Sequence, residues 1–206
     1  MEKGMLIVIS GPSGVGKGTV KDELLKRNPK LIESVSCTTR KPRPGEIEGV
    51  HYFFKPEEEF DRLISEDSFL EYAGVFGRKY GTLKQFVEEK RNEGKDVLLE
   101  IDVQGALHVK GSEPDSVLIM IVPPSLPELI ERLTKRNTET EEEIRHRYSK
   151  ATAEMRNFRS FDYIVINETD DITTTCVKIE KILKSELYRA SRNEKLIERI
   201  IENRYD

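Results

Sequence analysis

Nine residues constrain this chain more than any other stretch: Gly11, Pro12, Ser13, Gly14, Val15, Gly16, Lys17, Gly18 and Thr19. They follow the apolar run Met5 to Ile9 and precede a helical pattern from about Lys17 to Arg27. A strand, a glycine loop and a helix in that order form the context of a phosphate-binding loop. Glycines allow successive backbone N–H groups to converge on one anion with no Cβ in the way. The helix adds the positive end of its dipole, and Lys17 brings a point charge to the outer phosphates. The usual pattern ends Lys-Ser/Thr. Here Gly18 intervenes and the hydroxyl arrives one residue later, at Thr19, so the usual hydroxyl ligand to magnesium is displaced.

The rest of the chain reads as an α/β protein. Short apolar runs at Met5–Ile9, Asp96–Ile101, Val117–Val122 and Tyr163–Ile166 are those of strands buried on both faces of a parallel sheet. Helical patterns separate them, at about Leu83–Asn92, Gln104–Val109, Leu126–Lys135, Glu142–Asn157 and from Asp171 onward. Such alternation predicts helices on both faces of the sheet, with the phosphate loop at its carboxyl edge. Between residues 34 and 84 the pattern changes. Strands are expected at Glu33–Thr38, His51–Lys55 and Phe69–Phe76, a helix at Glu57–Ser65, and a turn at Gly77–Gly81 joining a short strand, making a small mixed β-rich insertion. The tail from Ser191 carries Leu196, Ile197, Ile200 and Ile201 on one helical face, expected to lie on its own domain or to form an oligomer contact.

At 206 residues and net charge −4, with 36% hydrophobic and 35% charged residues, one well-solvated domain with inserted parts is expected. The acidic balance argues against a nucleic-acid partner. No apolar segment is long enough to span a membrane. The two cysteines, Cys37 and Cys176, form no metal pattern, and a cytoplasmic location follows as the default expectation. His51, His108 and His146 suggest no catalytic role.

A second constellation follows the first helix. In Thr38-Thr39-Arg40-Lys41-Pro42-Arg43-Pro44-Gly45-Glu46, the prolines stiffen a segment carrying Arg40 and Arg43 three residues apart. Two guanidinium forks so placed can grip one phosphate from two sides, and Tyr52 and Tyr80 can add phenolic hydrogen bonds.

With these residues the chain resembles guanylate kinase. The likeness rests on the N-terminal phosphate loop, the Thr38–Glu46 segment, and Gly49 followed by Tyr52 and Phe54. It continues through Phe69-Leu70-Glu71-Tyr72, Tyr80-Gly81-Thr82, Leu99 to Gly105, and Arg136-Asn137-Thr138-Glu139-Thr140, covering about Leu6 to Leu187. The resemblance implies transfer of the γ-phosphate of ATP to GMP, with Mg2+, and leaves dGMP open as a second acceptor. It implies a phosphate-loop core at 1–33 and 85–190, a GMP-binding insertion at 34–84, a lid at 125–156, and a tail at 191–206 outside the likeness. By the same resemblance Ser36, Glu71, Thr82 and Glu100 face guanine, while Arg40, Arg43, Tyr52 and Tyr80 bind the GMP phosphate. A carboxylate suits guanine because its N1–H and 2-amino group are both donors on one edge. Arg132, Arg136 and Arg147 belong to the lid, and Asn167 to the adenine side.

Lys17, Arg40, Arg136, Arg147 and Asp102 are the expected catalytic set, and Gly11 to Thr19 with Arg132, Arg136 and Asn167 the ATP set. Asp102 follows a buried strand, where phosphate-loop enzymes keep an acid near magnesium. With Gly18 lacking a hydroxyl, Thr19 and Asp102 are the expected metal residues, mostly through water. Glu100 stands where the motif commonly has Asp. Two other readings stay open: an inactive protein-binding module of the same fold, and a kinase for another nucleoside monophosphate. Whether the protein is a monomer or a homo-oligomer is undecided by sequence.

Overall fold

The computed structural model describes residues 3–75, 77–134, 141–168 and 171–202. Five strands make the core sheet: β1 (Leu6–Ser10), β2 (Leu31–Glu33), β7 (Asp96–Glu100), β8 (Val117–Val122) and β9 (Tyr163–Ile166), in the order β2-β7-β1-β8-β9 and all parallel. Both faces are covered, so every residue of β1 is buried. Ile7, Ile9, Leu98, Ile119 and Ile121 point to one side. There they pack on Val20 and Leu24 of α1 (Lys17–Arg27) and on Cys176 and Ile179 of α7 (Ile172–Glu186). Leu6, Val8, Val97, Leu99, Leu118 and Met120 point to the other. They meet Val87 of α3 (Lys84–Asn92) and Val103, Ala106 and Val109 of α4 (Val103–Ser112).

A second, mixed sheet lies within residues 37–83. It is formed by β3 (Cys37–Thr38), β4 (Phe53–Phe54), β5 (Phe69–Val75) and β6 (Arg78–Leu83), in the order β4-β3-β6-β5. The β3–β4 pair is parallel and the other pairs antiparallel. Cys37, Phe60 and Phe69 form its core beneath α2 (Glu57–Ser65), where the Phe60 and Phe69 rings stack at 4.5 Å. Cys37 and Cys176 are both buried free thiols, and burial pushes each up to about 11, which leaves neither a ready thiolate.

Three expectations need correction. The strand expected from Glu33 to Thr38 is two strands in different sheets. Ser34 N–H donates to Leu98 O in the first sheet, and Ser36 O accepts from Phe53 N–H in the second, so the chain crosses between sheets at 34–36. The turn expected over Gly77–Gly81 is a tight hairpin at Gly77, φ +70°, and β6 starts at once with Arg78 opposite Val75. The tail does form a helix, α8 (Glu194–Glu202), but its apolar face is not laid on the domain: Ile200 and Ile201 are 60% and 69% exposed. The preceding turn is anchored by Arg192, which donates to Asp115 O and Glu186, and the helix leaves the body from there.

Two helices follow β8. Ser125 Oγ accepts from Glu128 N–H at the start of α5 (Leu126–Thr134), as expected of a cap. Its Leu129 and Leu133 pack against Ala151 of α6 (Glu141–Met155). The lid arginine Arg136 falls within residues 135–140, which lie outside the described residues.

Candidate functional site

At the carboxyl edge of β1 the backbone turns sharply. Gly11 has φ +144°, and a Cβ there would stand 2.1 Å from Ile121 O, so no side chain fits. Gly14 and Gly16, at φ +85° and +91°, hold the left-handed turns that wind the loop into α1. Lys17 folds back over this loop, its Nζ donating to Gly11 O at 2.7 Å and Pro12 O at 3.2 Å. Burial lowers the Lys17 pKa, while Glu100, Glu154 and Asp102 act in the opposite direction.

The loop is braced from behind. Asn167 Nδ2 donates to Val15 O at 2.7 Å, and Arg132 donates to Asn167 O at 2.9 Å and to Val15 O at 3.4 Å. Thr175 Oγ1 donates to Asn167 Oδ1, fixing the amide's orientation. Arg132 and Asn167, two residues expected on the ATP side, are thus joined at the loop itself.

The second anion-binding candidate lies in the mixed sheet. Arg40 makes a two-pronged contact with Glu46, at 2.9 and 2.8 Å, and its guanidinium lies 5.2 Å from the Tyr52 ring centre. Tyr80 stands beside Tyr52, with ring centres 6.2 Å apart, and after Glu46 it too favours the charged Arg40. Glu46 also accepts the Arg43 backbone N–H at 2.7 Å. These contacts hold the Glu46 carboxyl down at about 2, Arg40 being the larger cause, and Glu46 in turn raises Arg40. Arg43 itself is exposed at the segment's tip.

On β5 of the mixed sheet stands Glu71, only 7% exposed, whose Oε1 accepts the Thr82 hydroxyl at 2.7 Å. The pairing of β5 with β6 places Glu71 opposite Thr82, which explains the contact. Burial raises the Glu71 pKa; Thr82 opposes this and Asp102 adds to it. Ser36 lies half-buried where the chain enters the mixed sheet.

Glu100 and Asp102 are placed the other way round from expectation. Glu100 does not join Glu71 and Thr82. It ends β7 beside Ile9 of β1, and its Oε2 lies 3.6 Å from where a Cβ on Gly18 would stand and 4.0 Å from Lys21 Nζ. Burial raises its pKa, offset by Lys21 and Lys17. Asp102 instead caps α4, its Oδ1 accepting Gly105 N–H at 2.8 Å. A Cβ on Gly105 would lie 3.1 Å from Glu71 Oε2 and 3.5 Å from Asp102 Oδ1, so these two carboxylates border one space. The physical reason is the strand end. Residues two apart share a face only while a strand continues, and β7 stops at Glu100. Thr19 is exposed on α1 and follows Gly18 by one residue, which turns it about 100° from the Glu100 side.

Arg147 lies on α6, half-buried. Two site residues escaped the sequence reading. Glu46 sits inside the arginine segment Thr38–Glu46, where its spacing from Arg40 and Arg43 is the signal. Glu154, near the end of α6, has a 15% exposed side chain and faces the phosphate loop, but in sequence it reads as one charge among many on a solvated helix.

Comparison with known proteins meets this geometry from outside. Residues 3–186 match the family model described as guanylate kinase. A protein named guanylate kinase from Caldanaerobacter subterraneus subsp. tengcongensis is 50% identical over 201 residues, covering 98% of this chain and 97% of that protein. Another of that name, from Clostridioides difficile, is 47% identical over 197 residues, covering 96% and 95%. The crystal structure of guanylate kinase from Anaplasma phagocytophilum aligns with a TM-score of 0.70 at 35% identity, covering 93% of this chain and 90% of that one. The chain belongs to the guanylate kinase family.

Proposed function

We propose that the protein transfers the γ-phosphate of ATP to GMP, giving ADP and GDP. The observation that carries this reading is a phosphate loop in the same domain as an arginine–tyrosine cluster on the mixed sheet, with the buried Glu71–Thr82 pair on the strand pair that carries Tyr80. Gly11 to Thr19 hold the donor phosphates, with Arg132 and Asn167 bracing the loop on the ATP side. Arg40, Arg43, Tyr52 and Tyr80 hold the GMP phosphate, and Glu71, Thr82 and Ser36 receive the guanine edge. Residues 34–84 act as the GMP-binding part and 125–156 as the lid, with Arg136 and Arg147 closing on the transferred group.

The attacking oxygen belongs to a phosphate that is already anionic, so no general base is required. What the chain supplies is alignment and positive charge. Lys17, desolvated within the loop, meets charge that builds on the transferring phosphoryl group. Glu46 presets Arg40 in the orientation that a phosphate needs, so less side-chain freedom is lost on binding. Closure of the lid keeps water from the donor until both substrates are present.

Magnesium fits this site as an ion held chiefly by nucleotide phosphates and water. No group of three His, Cys, Asp or Glu able to hold a metal occurs among the described residues, and Mg2+ ordinarily keeps several waters. When bound, it neutralises charge on the transferring phosphates. Glu100 replaces Thr19 and Asp102 as the residue proposed for its water shell, because Glu100 borders Gly18 where the usual hydroxyl would stand. Asp102 moves to the GMP side with Glu71.

A coupled ADP-release assay across GMP, dGMP, AMP, CMP and UMP tests the reading. Turnover is expected with GMP, and with dGMP if the ribose hydroxyl is not read. Turnover with AMP but not GMP would overturn the base assignment, and none with any acceptor would leave a binding module of the same fold.

A further inference from the structure

We infer that Glu154 is an internal anion of the phosphate loop, competing with the donor nucleotide's phosphates and so setting its affinity. This rests on the donor-site reading of the loop. The geometry begins with the two helices after β8. Leu129 and Leu133 of α5 pack on Ala151 of α6, and the same leucines press on the loop: a Cβ on Gly14 would stand 2.6 Å from Leu133 Cδ2 and 3.5 Å from Leu129 Cδ1. Glu154 lies three residues beyond Ala151, on the same helical face, so it is carried over the loop.

Its surroundings are those of a partly satisfied anion. Oε1 lies 3.8 Å from Lys150 Nζ, one turn earlier on α6, and Lys150 is itself largely solvated. Oε2 is buried with no hydrogen-bond partner among the described residues. Burial raises its pKa, Lys150 and then Lys17 and the Ser13 backbone N–H of the loop favour its charged form, and Asp102 opposes it. Ser13 N–H and Lys17 are two of the groups a nucleotide phosphate needs.

A buried acceptor without a partner costs free energy, so this contact is held loosely. A phosphate brings more charge and more acceptor oxygens to the same donors and is the stronger ligand. Donor binding therefore has to move Glu154 off the loop, and with it the end of α6, the helix that carries Arg147. A carboxylate that leaves only when phosphate arrives ties donor occupancy to the position of the lid.

The test is isothermal titration of ATP, ADP and inorganic pyrophosphate into wild type, Glu154→Gln and Glu154→Asp, with GMP as control and melting temperature as the check on folding. Glu154→Gln keeps shape and removes charge, and should tighten all three donor-side ligands roughly three- to tenfold. Glu154→Asp, which withdraws the carboxylate by one methylene, should fall between, and GMP affinity should stay within about twofold of wild type. Unchanged or weaker donor-side binding in a folded Gln variant overturns the inference. Equal tightening of GMP would show a general charge effect and overturn it as well. If wild type binds neither ATP nor ADP, the donor-site reading itself has failed.

Discussion

Replacing Glu71 by Gln separates two contributions that usually move together. The carboxylate is buried, its pKa raised chiefly by desolvation, and it accepts the Thr82 hydroxyl. Because the folded pKa lies above the ordinary value of 4.5, the stability linked to this group is full below pH 4.5. It is lost as pH rises through the raised value, so at neutral pH the charged form is a burden on the fold. A neutral glutamine can still accept the Thr82 hydroxyl, and its melting temperature at pH 7 should equal or exceed that of wild type. Guanine recognition should move the opposite way. A carboxylate accepts both N1–H and the 2-amino group, whereas glutamine offers one oxygen and sets its own N–H against a donor. Losing one charge-assisted hydrogen bond and weakening the other removes about 3–4 kcal/mol, or roughly 10²- to 10³-fold in kcat/KM for GMP. Steady-state ADP release alongside thermal melting reads both quantities. The reasoning is refuted if kcat/KM for GMP stays within threefold of wild type, or if activity falls only because the variant melts.

Removal of the loop cation, Lys17→Ala, should lower kcat by about two to three orders of magnitude with the fold intact, because it deletes a donor aimed at developing charge. A near-normal kcat in single-turnover measurements would remove Lys17 from that role. Melting temperature as a function of pH should show two opposed limbs. Glu71, Glu100 and Glu154 all have raised pKa values, so stability should grow as pH falls from neutral toward 4.5. Below 4.5 the sign reverses as Arg40's partner Glu46 protonates, a loss that continues down to about pH 2. Glu46→Gln should flatten the acid limb, and a melting curve unchanged by that substitution below pH 4.5 would count against the Arg40–Glu46 pair as its source.

Much of the core was legible because burial on both faces leaves a plain apolar signature. Val117–Val122, Tyr163–Ile166 and Glu57–Ser65 have the bounds that their sequences suggest. The signal failed where the hydrogen-bond partner changes while the side-chain pattern does not. Glu33 to Thr38 alternates throughout, yet Ser34 still bonds β7 and Ser36 already bonds Phe53, and no local pattern records that exchange. The loop and the arginine segment were legible for the opposite reason, since glycine and proline restrict the backbone wherever they occur. Glu154 was invisible because its partners, Ser13 and Lys17, lie more than 130 residues away and are brought to it only by α5 packing on α6.

The exchange of Glu100 and Asp102 says most about how the site is built. Parallel pairing fixes Ile9 beside Glu100, so the end of β7 and the start of the phosphate loop share one edge. After Glu100 the chain leaves the sheet, and Asp102 accepts the Gly105 N–H to begin α4. Only Ile101 separates a carboxylate that faces Gly18 and Lys21 from one that faces Glu71. Under the proposed assignment that three-residue junction spans from donor to acceptor. Its dimensions are set by rigid elements on both sides: a strand buried in the sheet centre and a helix whose Val103, Ala106 and Val109 are packed beneath it. Under the same assignment the acceptor's Arg40 and Arg43 follow β3 of the mixed sheet and Arg147 rides on α6, the two parts expected to move as substrates bind. Glu100 cannot move without breaking the β1–β7 register, so under the proposed assignment the junction is the fixed reference against which the moving parts would bring the two phosphates into line.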